Sequence, residues 1–205
     1  MITTTTIIIA VTVLISLAAM QKRELMDKLI FYPPAVTDDK QYYRFITSGF
    51  IHADFMHLAF NMFTFYFFGR VMETVFEDLT GNRYMFVIFY LTAIIISDIP
   101  SYLKNRNNYQ YRSLGASGGV SAVVFSFILF APWTTIYVFV LPIPAILYAL
   151  LFIFYSIYMG KKAEDNVNHD AHLWGALYGI VFTLIMEPRV INIFLQEIQH
   201  PSFHF

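Results

Sequence analysis

Gly115-Ala116-Ser117-Gly118-Gly119-Val120-Ser121-Ala122-Val123-Val124-Phe125-Ser126-Phe127-Ile128-Leu129-Phe130 opens on glycines around a serine and continues without a charge. A second apolar run, starting at Ala171, carries His172 55 residues after that serine. Polar and ionisable groups at membrane depth cost free energy, so a serine and a histidine in such runs mark a functional site by default. A serine flanked by glycines, with an imidazole on another helix, has the parts of a nucleophile and its base.

Composition agrees with a membrane setting. Of 205 residues, 58% are hydrophobic and only 13% are charged, against about 25% charge in ordinary soluble domains. The net charge of −1 argues against nucleic acid as a partner. The absence of cysteine excludes disulfides, thiol catalysis and Cys-based zinc sites. The 22 Phe and 14 Tyr suit lipid-facing and interfacial positions.

A membrane-spanning helix needs about 20 mostly apolar residues. Six stretches approach that: about 3–20, 56–76, 84–102, 115–131, 134–158 and 171–186. The first lacks a basic leader and is followed by further apolar segments, so it reads as a retained span. Residues 22–56 are a mixed connection with apolar patches, expected to pack on the membrane surface. In lipid each span must satisfy its own backbone, which selects helices. The expected fold is therefore all-α, a polytopic membrane protein of one domain over 1–205 with six transmembrane helices.

Helical spacing groups the polar residues. His57 and Asn61 lie one turn apart on one face, where they either donate to a reacting group or link helices. Gly115, Ser117, Gly118 and Gly119 begin a helix whose N-terminal N–H groups and dipole suit a developing oxyanion; the same residues also suit close helix packing. His172, Gly175 and Gly179 share one face, with Gly175 and Gly179 spaced as a close-packing pair. A nucleophile, a base and two donors on three helices match the needs of acyl transfer. Asp170 sits at the edge of its span, so a Ser–His dyad is favoured over a triad.

The string His52-Ala53-Asp54-Phe55-Met56-His57-Leu58-Ala59-Phe60-Asn61 resembles the H-x-x-x-x-H-x-x-x-N signature of the rhomboid intramembrane serine proteases. Gly115-Ala116-Ser117-Gly118 is similar to that family's G-x-S-G, and His172-Leu173-Trp174-Gly175-Ala176-Leu177-Tyr178-Gly179 to its H-x-x-G-x-x-x-G. Tyr43-Arg44 resembles an aromatic–Arg pair, and Glu73 falls where the family carries a glutamate. The ordered set covers residues 43–179.

The resemblance implies a rhomboid-like bundle and an intramembrane serine endopeptidase acting on transmembrane segments of membrane proteins in the bilayer. Ser117 would be the nucleophile, and His172 the general base and then acid. His57 and Asn61 would serve the oxyanion. His52, Arg44, Glu73, Gly115, Gly118, Gly175 and Gly179 would be structural or gating positions. Ser121 departs from the pattern, standing where some members have an aromatic that stacks on the histidine.

No cofactor and no metal is expected, since there is no H-E-x-x-H, and Asp98 stands alone against an aspartyl mechanism. A catalytically inactive rhomboid-like protein binding transmembrane helices is the alternative. The expected location is a bacterial inner membrane with the active site toward the outer face. That orientation leaves ten of the thirteen Lys and Arg outside, against the positive-inside bias.

Overall fold

The computed structural model describes residues 3–138, 141–162 and 167–201. Helix α1 (Thr4–Gln21) leads into three short helices, α2 (Arg23–Leu29), α3 (Pro33–Asp38) and α4 (Arg44–Thr47), and a 3-10 turn at Ser48–Phe50. Then come α5 (Phe55–Thr80), α6 (Met85–Asn105) and α7 (Ser117–Phe130). A hairpin of β1 (Thr135–Val138) and β2 (Leu141–Pro144) precedes α8 (Ala145–Lys162), α9 (His169–Met186) and α10 (Val190–Gln199).

Local chemistry places the helix ends. Asp54 N-caps α5 by accepting from the His57 N–H at 2.8 Å. Gly81, at φ 64°, closes α5 in the left-handed conformation that glycine adopts without a Cβ penalty. Helix α1 is capped locally, by Thr3 Oγ1 accepting from the Thr6 N–H at 3.2 Å, and also from elsewhere in the chain. The Glu73 carboxylate of α5 accepts from the N–H groups of Thr4 at 2.6 Å and Thr5 at 2.9 Å, and from the Thr5 hydroxyl at 2.7 Å. A carboxylate there satisfies orphan N–H donors and complements the helix dipole.

Helix α7 is the hub. Nearly all its residues are buried, and it packs against α5, α6 and α9. A Cβ on Gly175 would overlap the Gly118 carbonyl, and one on Gly179 the Ala122 carbonyl, so α7 and α9 meet backbone to backbone. The 14 residues of α7 rise only about 21 Å. A hydrocarbon core is about 30 Å thick, so a helix this short does not cross it alone.

The structure is a helical membrane bundle, and the expected span over 134–158 is not one continuous helix. The stretch 134–158 begins as the β1–β2 hairpin, paired from Thr135↔Pro144 to Val138↔Leu141, and the helix starts only at Ala145. Pro142 and Pro144 disfavour helix there; residues 139 and 140 lie outside the described residues. By length and apolarity, among the described residues, α1, α6 and α8 can each cross a membrane; α9 and α10, which meet at a bend of 114°, meet the same test only when taken together as one broken segment. Of the other expected spans, α7 is short, and α5 carries Arg70, Glu73, Glu77 and Asp78 in its second half.

Candidate active site

Ser117 is the first residue of α7, so its N–H and those of Gly118 and Gly119 have no acceptor within the helix. Gly118 is enclosed by two helices. A Cβ there would overlap Ser97 Oγ of α6 and lie 3.4 Å from the Ala171 carbonyl oxygen of α9, while Gly175 abuts the Gly118 carbonyl. Ser117 precedes Gly118, and His172 follows Ala171. The helix contact therefore brings the serine and the histidine, both half-buried, to the same end of the α7–α9 interface.

The segment before Ser117 is held from α5 and its preceding loop. Gly115 has φ 121°, and a Cβ there would lie 2.8 Å from Cε1 and Nε2 of His57. Only glycine both adopts that conformation and admits the imidazole. The His52 ring meets the His57 ring edge-on at 4.9 Å. His52 Nε2 accepts from the Ala116 N–H at 3.2 Å, so Nδ1 carries the proton and donates to Ser16 Oγ at 2.9 Å. Ser16 Oγ in turn donates to the Phe50 carbonyl at 2.9 Å. Burial, with His57 beside it, holds His52 far below the usual imidazole range, at about 3. Asn61 is buried one turn below His57, and its amide donates to the His57 carbonyl at 2.9 Å.

Behind Ser117 lies a small polar cavity of about 10 Å³ lined by Ser97, Asp98, Ser113, Gly115, Ser117 and Asn168, room for roughly one water. Asp98, isolated in the sequence, receives Ser48 Oγ at 3.3 Å and Asn168 Nδ2 at 3.4 Å. Asn168 also N-caps α9, accepting from the Ala171 N–H at 3.1 Å, and accepts from Ser101 Oγ at 2.9 Å. It thus ties the start of the His172 helix to α6. Its sequence signal is an Asn just before an apolar run. Phe152 of α8 stacks on His172 at 5.7 Å, a neighbour that no local spacing announces.

Two expected positions lie away from this cluster. Arg44 is buried, and its guanidinium donates to the carbonyls of Asp27 at 2.9 Å and Ile30 at 2.7 Å and to Gln41 Oε1 at 2.7 Å, folding the surface loop. Glu73 caps α1, about 24 Å along α5 from His57. Among the described residues no group of three or more His, Cys, Asp or Glu assembles to hold a metal ion.

The Rhomboid domain family model matches residues 39–189, well over half of the chain. The chain belongs to the rhomboid family. This rhomboid is 29% identical over 142 residues to RHOMBOID-like protein 12, mitochondrial, from Arabidopsis thaliana, covering 64% of this chain and 42% of that protein. It is 28% identical over 152 residues to Rhomboid-like protein 11, chloroplastic, from the same plant, covering 71% and 52%. It is 30% identical over 142 residues to Presenilin-associated rhomboid-like protein, mitochondrial, from Rattus norvegicus, covering 66% and 36%. The rhomboid chain thus spans about half or less of the length of the curated relatives it matches. Their names point to organellar membranes and overturn the expectation of a bacterial inner membrane, and with it that membrane's outer face as the side of the site.

Proposed function

We propose that this rhomboid is an intramembrane serine endopeptidase working by a Ser117–His172 dyad. The observation that carries the reading is the glycine-mediated contact of α7 and α9, with Ser117 and His172 at one end of it. His172 takes the Ser117 Oγ proton as Oγ attacks the scissile carbonyl, and returns it to the leaving amine. The α7 N-terminal N–H groups, with His57 and Asn61 as side-chain donors, receive the oxyanion. Water then hydrolyses the acyl-enzyme, again with His172 as base.

A neighbouring groove supports transmembrane segments as the substrate class. An apolar groove of about 840 Å³ runs between α5 and the hairpin, lined by Met56, Phe60, Phe63 and Phe67, by Phe127 of α7 and by Tyr148 of α8. It suits a transmembrane helix of a substrate protein approaching from lipid. That helix must unwind locally, because a helical peptide engages its carbonyls in its own hydrogen bonds. Substrates with helix-weakening Gly or Pro near a small residue are favoured.

The test is cleavage of a single-span substrate in liposomes by wild-type protein, Ser117→Ala and His172→Ala. Cleavage by wild type alone supports the dyad. Persistent cleavage by either variant rejects it, and substrate binding without cleavage by wild type supports an inactive, helix-binding rhomboid instead.

A further inference from the structure

His172 is half-buried, and an imidazole so placed turns about two side-chain torsions unless its faces are held. On α7 the residue one turn beyond Ser117 is Ser121, which has no ring to offer. The ring against His172 comes instead from α8: Phe152 lies with centroids 5.7 Å apart and planes inclined by 28°, an offset stack. Phe152 is itself fixed by Phe125 of α7 at 5.5 Å and by Tyr148 of α8 at 5.7 Å. His169 meets His172 edge-on at 5.8 Å, and Tyr155 meets His169 edge-on at 5.6 Å. Aromatic rings of α8 thus contact α9 histidines on successive turns.

Helix α8 is lightly attached. Its buried residues Ala145, Ala149 and Ser156 form one stripe, which Phe152 joins by helical spacing. Only 17% of its apolar stretch is buried inside the protein, against 44% for α6. Tyr148 both lines the apolar groove and touches Phe152. A continuous ring contact therefore runs from the groove through Tyr148 and Phe152 to His172.

We propose that Phe152 is a positioning residue for His172, and that the Tyr148–Phe152–His172 contact couples the orientation of the imidazole to occupancy of the groove. The proposal rests on the proteolytic reading for its consequence in catalysis. The contact and its coupling are tested independently of cleavage. A loosely held α8 can shift when a helix enters the groove, and the stacked ring carries that shift to the base.

The experiment uses the full chain in lipid nanodiscs with NMR of the His172 ring, assigned by its loss in His172→Gln. Phe152→Leu is expected to move the His172 resonance out of the ring-current field of Phe152, whereas Phe152→Tyr keeps it. Adding a single-span substrate to Ser117→Ala protein shifts the resonance, and Phe152→Leu in that background abolishes the shift. In turnover, Phe152→Leu lowers kcat about 10-fold at unchanged KM and unchanged Tm, and Phe152→Tyr restores kcat. An unmoved resonance in Phe152→Leu overturns the contact, and a substrate shift that survives Phe152→Leu overturns the coupling. A kcat equally low in Phe152→Tyr, or lost in step with Tm, overturns the positioning role. Absence of Ser117-dependent cleavage by wild type refutes the proteolytic reading and leaves the NMR outcomes to decide the contact.

Discussion

His52 Nε2 accepts a hydrogen bond from the Ala116 N–H at 3.2 Å, joining the loop before α5 to the residue preceding Ser117. The acceptor role requires a neutral imidazole, and the Ser16 contact fixes its proton on Nδ1. His52→Ala leaves a buried N–H without that partner, at a cost of about 1–3 kcal/mol. The expected outcome is a lowered Tm together with slower cleavage. A variant with wild-type Tm contradicts this role for His52.

The same bond makes stability depend on pH. In the folded chain His52 titrates near 3, well below the ordinary imidazole value of 6.5. Between those values the unfolded chain holds the proton and the folded chain does not. Stability is therefore full above about 6.5 and falls as pH drops toward 3. Tm measured across that window is expected to fall more steeply for wild type than for His52→Gln, which has nothing to titrate. Parallel slopes would remove His52 as the cause.

Glu73 acts at the far end of α5, on the N-terminus of α1. Glu73→Gln removes a charge-assisted cap and is expected to cost about 1–2 kcal/mol. The loss should appear in detergent melting curves, with kcat of the folded fraction near the wild-type value. A large drop in kcat at unchanged Tm would place Glu73 in the reaction rather than in the scaffold.

Gly179 faces the Ala122 carbonyl with no space for a side chain. Gly179→Val forces α7 and α9 apart, and overpacking of this kind typically costs about 1–3 kcal/mol. Because Ser117 and His172 ride on those two helices, activity should fall further than stability does. Wild-type turnover from Gly179→Val would show that the dyad does not depend on this contact.

The helix faces were legible because their spacing is local. His57 with Asn61, and His172 with Gly175 and Gly179, lie one or two turns apart, and the structure keeps each set on one helix. The fifth span misled because an uncharged run of 28 residues from Trp133 to Gly160 hides a change of periodicity. Pro142 and Pro144 were the local sign that the helix begins later. The partners of Glu73 lie 68 and 69 residues upstream at Thr5 and Thr4, and Phe152 reaches His172 across a helix interface. Long-range contacts of that kind leave no pattern along the chain.

The proposed activation of Ser117 by His172 is tested most directly with a fluorophosphonate probe and peptide mapping of the adduct. The proposed dyad predicts a single adduct on Ser117 of the wild-type chain, absent in Ser117→Ala and formed at least about 10²-fold more slowly in His172→Ala. An adduct that forms at the wild-type rate in His172→Ala, or that maps to another serine, would contradict it.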